Sequence, residues 1–329
     1  MDKDQKVSVL TESGTNELEI IEFHLIKQLP DGGTKTCYYG INVAKVREVI
    51  KVPETTDYPN AQDHMIGVFS SREKLTPLVD LAGWLGVSTT KDLTHKFVIV
   101  TDFNHMTNGF LIDGVSRIHR ISWEDVESPS QFLEAGENDC VVAVVRYSGN
   151  LMMILDFEKI IADINPELSM DKYDVTTDKK VDLNSATVAR RKTRTIMVVD
   201  DSAFIRTMIK NTLEAAGYNT VSAKDGGEAL ETLMDFDAQS KADNVPLSSL
   251  IDGVITDVEM PRMDGMHLVK RLRDTVSYAS IPIVMFSSLM SDDNRMKALQ
   301  LGANDTITKP EIGQMVGMID SYVLDNPTA

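Results

Sequence analysis

Residues 195–206 read TIMVVDDSAFIR and residues 253–257 read GVITD. In the first the apolar run Ile196–Val199 leads into Asp200–Asp201, and in the second Val254–Ile255 leads through Thr256 to Asp257. A strand that alternates apolar with polar residues covers one face only. These runs do not alternate, so they read as strands buried on both faces, the mark of a parallel sheet. After Asp200–Asp201, Ser202 is placed to cap a helix. In that helix Ile205, Ile209 and Leu213 recur at four-residue spacing with Met208 beside them, and Gly217 closes it. Working outward, the same rhythm repeats. A strand at about Thr220–Ala223 precedes a helix from Gly227 to about Met234, and polar residues Asp235–Ser249 then interrupt the pattern. The strand ending at Asp257 precedes a helix at Met266–Arg273. Strand Ile283–Phe286 ends at Ser287–Ser288 and precedes helix Asp292–Leu301. Strand Thr306–Thr308 ends at Lys309 and precedes a helix at about Ile312–Val323. Five strand–helix units with right-handed crossovers predict a doubly wound α/β domain over residues 194–325, with a tail at 326–329.

Ligands of such sheets bind beyond the carboxyl ends of the strands. Every residue of chemical character falls there: Asp200 and Asp201, Asp257, Ser287 and Lys309. Three carboxylates in one pocket repel, and a hard divalent cation with oxygen ligands relieves the repulsion, which points to magnesium. Asp257 is then placed as a nucleophile toward phosphorus. Lys309 offsets charge on the transferring oxygens, and the Ser287 hydroxyl is positioned to donate to the phosphoryl group and draw its loop inward. Singly, these residues carry little. An Asp pair fits any helix start, an Asp at a strand end fits any turn, and a lone Lys is usually solvated. Their coincidence on four strand ends is the signal.

The motifs VVDDSAFIR (198–206), TDVEMPRMDG (256–265), PIVMFSS (282–288) and ITKP (307–310) resemble the response-regulator receiver family. The resemblance implies a flavodoxin-like fold, with magnesium held by Asp200, Asp201, Asp257 and the backbone carbonyl of Glu259. It implies phosphorylation of Asp257, a switch hydroxyl at Ser287, a phosphate contact at Lys309 and loss of the phosphoryl group by autodephosphorylation. Glu259 and Leu289 lie near the pocket entrance, where they are placed to tune phosphoryl lifetime, and Pro310 sits where the family often has a cis bond. One departure is Thr306, where the family usually has an aromatic switch residue.

Upstream the texture differs. Leu18–Leu25, Thr36–Ile41, Met65–Phe69, Phe97–Phe103, Gly109–Ile112, Cys140–Tyr147 and Leu151–Ile154 are short β-like runs punctuated by Gly, Asn and Asp. Asn42–Val49 and Pro77–Leu85 read as short helices or edge strands. Many short strands without intervening long helices predict an all-β domain over 18–168, after a loosely ordered segment 1–17. Residues 169–193 are polar and read as a linker, with a short helix near Asp182–Val188.

The stretches YGINVAKVREVI (39–50), MIGVFSSREKLTPLVDLAGWLG (65–86), FVIVTDFNHMTNGFLIDGVSRIHRISWEDV (97–126) and MILDFEKIIADI (153–164) resemble the CheW-like chemotaxis adaptor domain. That resemblance implies two linked five-stranded β-barrels that bridge methyl-accepting chemoreceptors to the histidine kinase CheA. Arg72 matches a receptor-contacting arginine, although Glu73 stands where the family often has Gly. The combination implies a signalling adaptor at receptor arrays, not an enzyme, whose coupling responds to phosphorylation at Asp257 through a change in how the second domain packs against the first or against the receptor–kinase assembly. A second reading is a phosphate sink that drains the kinase.

The formal net charge of −17, from 33 basic and 50 acidic side chains, bears on partners. Nucleic-acid binding needs a basic field, and neither domain offers one. A DNA-binding regulator would also need a recognition helix, and none is legible. A haloacid-dehalogenase-like phosphatase would place its two acids on one strand end, whereas here they lie on separate strands. No apolar run reaches the roughly 18 residues of a membrane span, so contact with a membrane is expected only through receptors, from the cytoplasm. Cys37 and Cys140 have no metal-ligand spacing and read as buried thiols.

Overall fold

A computed structural model describes residues 17–59, 63–90, 92–103, 106–122, 125–127, 140–147, 149–164, 181–260, 262–288, 292–309 and 312–325. The first domain contains two sheets. The first is built from β1 (Glu17–Gln28), β2 (Thr34–Asn42), β8 (Gly114–Ser122), β9 (Val126–Glu127), β10 (Val141–Tyr147) and β11 (Asn150–Leu155), in the order β8-β1-β2-β11-β10-β9. The second runs β3-β6-β7-β5-β4, from β3 (Val46–Lys51), β4 (Met65–Ser71), β5 (Lys74–Asp80), β6 (Phe97–Phe103) and β7 (Met106–Ile112). The all-β reading therefore holds, with a two-residue sixth strand added to one sheet. Strand β8 is hard to read in the sequence because Arg117, His119 and Arg120 mask its alternation.

Asn42–Val49 splits into a single 3₁₀ turn, Val43–Lys45, and the start of β3, while Pro77–Leu85 splits into the end of β5 and helix α1 (Leu81–Trp84). The turn is capped by Asn42, whose side chain accepts from the Ala44 N–H at 2.9 Å. Helix α2 (Phe157–Ile164) packs with both sheets. Its Phe157, Ile160, Ile161 and Ile164 share one core with Phe23, Leu25 and Ile41 of the first sheet and Val79, Ile99 and Phe110 of the second. The Phe157 ring meets Phe110 edge-on at 4.9 Å between centroids. Anchored on that side, α2 presents its first turn to the second domain.

The second domain is a five-stranded parallel sheet in the order β13-β12-β14-β15-β16, from β12 (Thr195–Val199), β13 (Asn219–Ala223), β14 (Gly253–Thr256), β15 (Ile283–Ser287) and β16 (Asp305–Thr308). On one face Ile196 and Val198 pack against α4 (Ala203–Ala216) and α8 (Ile312–Asp320). On the other, Met197 and Val199 pack against α5 (Gly226–Asp243) and α6 (Gly265–Asp274), with α7 (Asp292–Leu301) adding Ala298. Both faces are covered, as the unbroken apolar runs require.

Two expectations need correction. Asp235–Ser249 is not an interruption: α5 continues through it to Asp243 and ends at Asn244 in the left-handed region (φ 53°). Lys241 and Asp237, one turn apart, pair at 2.6 Å, and Phe236 and Leu247 pack on the core, so a polar composition still forms helix. The region read as a linker also folds in part. Helix α3 (Ser185–Arg191) lies later than anticipated and docks on the second domain. Its Arg191 is fully buried and bonds both Asp320 oxygens, at 2.9 and 2.6 Å. Residues 1–16, 165–180 and 326–329, with Pro261, Leu289 and Pro310, lie outside the described residues. Among the described residues no helix is long and apolar enough to cross a membrane.

Candidate functional site

The parallel register brings the acids together. Asp257 follows β14, and its N–H donates to Val199 O at 2.9 Å, which aligns it with the end of β12 where Asp200 begins. The Ser202 N–H donates to Asp200 Oδ1 at 2.9 Å and the Val258 N–H to Asp257 Oδ1 at 2.6 Å, so each carboxylate has one oxygen fixed by backbone. The other oxygens face Lys309. Its Nζ lies 2.9 Å from Asp200 Oδ2 and 3.1 Å from Asp257 Oδ2, and its side chain is fully buried. The Lys309 N–H donates to Ser287 O at 3.0 Å, so the end of β15 and the lysine are tied through backbone, and Ser287 itself is buried. Gly265 closes the floor. A Cβ built there would lie 1.9 Å from Asp257 O, so any larger residue displaces the acid.

One carboxylate oxygen from each of Asp200, Asp201 and Asp257 lies within 4.8 Å of the other two. An all-oxygen donor set of this kind suits a hard divalent cation, which would complete its shell with water and carbonyl oxygen. The electrostatics support the fit. Burial pushes Asp200 up to about 7, with Lys309 opposing and Asp257 reinforcing the shift. Burial also pushes Asp201 well above the carboxylate range, Lys45 opposing and Asp200 and Asp257 adding to it. Burial disfavours the Lys309 ammonium, yet Asp200, Asp257 and Glu158 outweigh that and hold it strongly protonated. The cluster thus carries more acid than its lysines neutralise.

Residues of the first domain also belong to this cluster and were not anticipated. Glu158, in the first turn of α2, places Oε2 at 3.3 Å from Lys309 Nζ and Oε1 at 3.3 Å from Lys45 Nζ. The Ser288 hydroxyl donates to Glu158 Oε1 at 3.1 Å. Burial works against the Glu158 charge, but Lys309 and Lys45 outweigh it and hold the carboxyl at about 2. Asn42 Nδ2 donates to Glu259 Oε2 at 2.9 Å, and burial pushes Glu259 up to about 7 despite Lys45. Asp156 Oδ2 is buried without a hydrogen-bond partner beside this cluster. Lys159 lies over the Phe204 ring at 5.7 Å and adds a further contact between the domains. A glutamate early in an amphipathic helix looks like an ordinary charge near a helix N-terminus, so only the packing of the two domains reveals its partner.

The remaining expected residues are dispersed. Thr306 is buried on β16 next to β15 and pairs with Met285 in the register. Arg72 lies on the β4–β5 turn, far exposed, with Nε 3.5 Å from Glu48. Arg72 and Glu73 both have positive φ (48° and 67°), as a two-residue hairpin turn of this hand demands, which explains why Gly would suit position 73. The two cysteines are half-buried rather than buried, and among the described residues neither forms a disulfide.

Residues 32–165 match the family described as CheW-like domain, and residues 196–320 match the response regulator receiver domain. The chain is 33% identical over 292 residues to chemotaxis protein CheV3 of Helicobacter pylori, an alignment covering 88% of this chain and 89% of that protein. It is 26% identical to CheV1 of the same organism, over 89% of each. Its second domain is similar to chemotaxis protein CheY1 of H. pylori, at 38% identity over 122 residues, or 37% of this chain and 89% of that protein.

Proposed function

Because this chain belongs to the CheV family of chemotaxis proteins, we propose that it couples methyl-accepting chemoreceptors to the histidine kinase CheA and that phosphorylation of Asp257 adjusts the coupling. The observation that carries the reading is the meeting of Asp200, Asp201, Asp257 and Lys309 at one edge of a parallel sheet, in direct contact with the adaptor domain. That contact favours regulated coupling over a phosphate sink, because a sink needs no tie between pocket and adaptor.

In this reading Asp257 attacks the phosphorus of a kinase phosphohistidine. A new P–O bond forms as the P–N bond breaks, and the departing imidazole takes the electron pair. Asp200, Asp201, Asp257 and the Glu259 carbonyl would hold magnesium, which supplies positive charge against the phosphoryl oxygens. Lys309 contributes the second positive charge from a fixed, water-excluded position. Ser287 and its loop follow the phosphoryl group, while buried Thr306 takes the place of the larger switch residue. Hydrolysis of the aspartyl phosphate in the same pocket resets the protein. Arg72 is the proposed receptor contact, presented on a turn whose backbone is fixed by the strands either side. The site of action is the receptor array at the cytoplasmic face of the membrane.

Reconstitution with receptor fragments and CheA tests this. Kinase output is expected to differ between unphosphorylated and phosphorylated wild type and to be insensitive to phosphodonor with Asp257→Ala. An unchanged output when wild type is phosphorylated removes the regulated-coupling reading.

A further inference from the structure

The unanticipated partner of the acidic pocket is the adaptor domain, and its chemistry is specific. Lys309 and the β15 loop are the groups expected to greet a phosphoryl group on Asp257. In this structure a carboxylate occupies their reach: Glu158 accepts from Ser288 at 3.1 Å and pairs with Lys309 at 3.3 Å. On the cation side stands an ammonium, Lys45, 3.3 Å from the same carboxylate and lining one small cavity with Asp156, Asp201 and Glu259. Asn42, which caps the turn carrying Lys45, reaches Glu259.

We propose that Glu158 and Lys45 form an intramolecular plug, a carboxylate in the phosphoryl seat and an ammonium beside the cation seat, that competes with loading of the Asp257 pocket. The inference rests on the phosphoacceptor reading and goes beyond it by naming the surface that senses phosphorylation. The logic is charge against charge. A divalent cation among the three acids repels Lys45. A phosphoryl group on Asp257 places anionic oxygens against Glu158. Both charges that hold the interface shut then become repulsive, in a buried setting where screening is weak. Release cannot stop at Glu158, because the opposite face of α2 is locked between both sheets through Phe157, Ile160 and Ile161. Loading therefore shifts the adaptor domain as a unit, and pocket occupancy and domain contact are reciprocally linked.

The experiment uses the full chain, as wild type and as Glu158→Gln, which keeps the shape and removes the charge. Magnesium with beryllofluoride serves as the stable phosphoryl probe. Its affinity is read by calorimetry, and the interface is read by hydrogen–deuterium exchange of residues 42–46 and 156–164. Saturating probe is expected to raise exchange in both segments of the wild type. Glu158→Gln is expected to bind the probe at least about tenfold more tightly, since a closed population lowers apparent affinity by the open fraction. It should also exchange faster in these segments before any probe is added. Exchange in wild type that is indifferent to saturation overturns the plug, and so do equal affinities; the phosphoacceptor reading survives either result. The wild-type exchange comparison needs no variant, so a poorly folded Glu158→Gln leaves the proposal decidable. Absence of probe binding to both forms overturns the plug and the phosphoacceptor reading together.

Discussion

Glu158 and Lys309 stand 151 residues apart in the chain, and their charges meet at 3.3 Å inside the boundary between the two domains. Lys309 also holds Asp200 and Asp257, so one ammonium joins the adaptor to the candidate phosphorylation site. A charge placed on Asp257 is thereby felt by the adaptor without any intervening chain of residues.

The acidic cluster sets a pH dependence. Asp200 and Glu259 are both pushed up to about 7, chiefly by burial. An unfolded chain releases these protons near pH 4, so between about pH 4 and 7 the folded state holds more protons and its stability falls as pH rises. Glu158, held at about 2, acts in the opposite sense, adding stability as pH rises from about 2 to 4. Thermal melts of metal-free protein should give a lower Tm at about pH 7 than at about pH 5, and millimolar magnesium should narrow the gap. An equal or higher Tm at about pH 7 in chelator counts against this charge balance.

Arg191 ties the inter-domain segment to the second domain. It is fully buried, bonds both oxygens of Asp320 and donates to Ala216 O at 3.0 Å. Arg191→Ala removes a planar fork and leaves Asp320 uncompensated, at a cost of about 3 kcal/mol or more. Arg191→Lys should recover little of it, since an ammonium cannot reproduce the bidentate geometry. Urea midpoints of the three proteins check this, and a lysine variant close to wild type would contradict it.

Gly265→Ala is expected to damage the pocket from below. Its Cβ would stand 1.9 Å from the Asp257 carbonyl oxygen, and that atom is backbone. We expect a loss of about 3 kcal/mol in stability and a fall of at least about tenfold in magnesium affinity. Unchanged magnesium affinity, measured by calorimetry, would show that the floor yields elsewhere.

Arg72→Ala provides the contrasting case. Its side chain is mostly exposed and makes one loose ion pair, with Glu48 at 3.5 Å. Stability should move by no more than about 0.5 kcal/mol, while retention on immobilised receptor fragments falls. Wild-type retention would remove Arg72 from the receptor surface.

The second domain is legible in the sequence because the chemical residues follow short strand-like runs, mostly apolar, and strand ends in a parallel sheet share one edge. Val199, Thr256, Ser287 and Thr308 mark those ends by the change from apolar to polar residues alone. What stays hidden has physical causes. β8 is an edge-like strand whose Arg117, His119 and Arg120 hide its period. The extra turns of α5 are polar, and Phe236 alone gives little periodicity. Glu158 and Lys45 are illegible for another reason: contact between domains is set by how two finished surfaces dock, and neither position departs from an ordinary helix or turn residue. Arg191 likewise sits in a segment whose composition reads as solvated.

Intact-mass measurement of the full chain after incubation with magnesium and either phosphorylated CheA or acetyl phosphate tests the central claim most directly. The account predicts a mass gain of one phosphoryl group on wild type and none on Asp257→Ala. No gain from either donor, or an equal gain on Asp257→Ala, would contradict it.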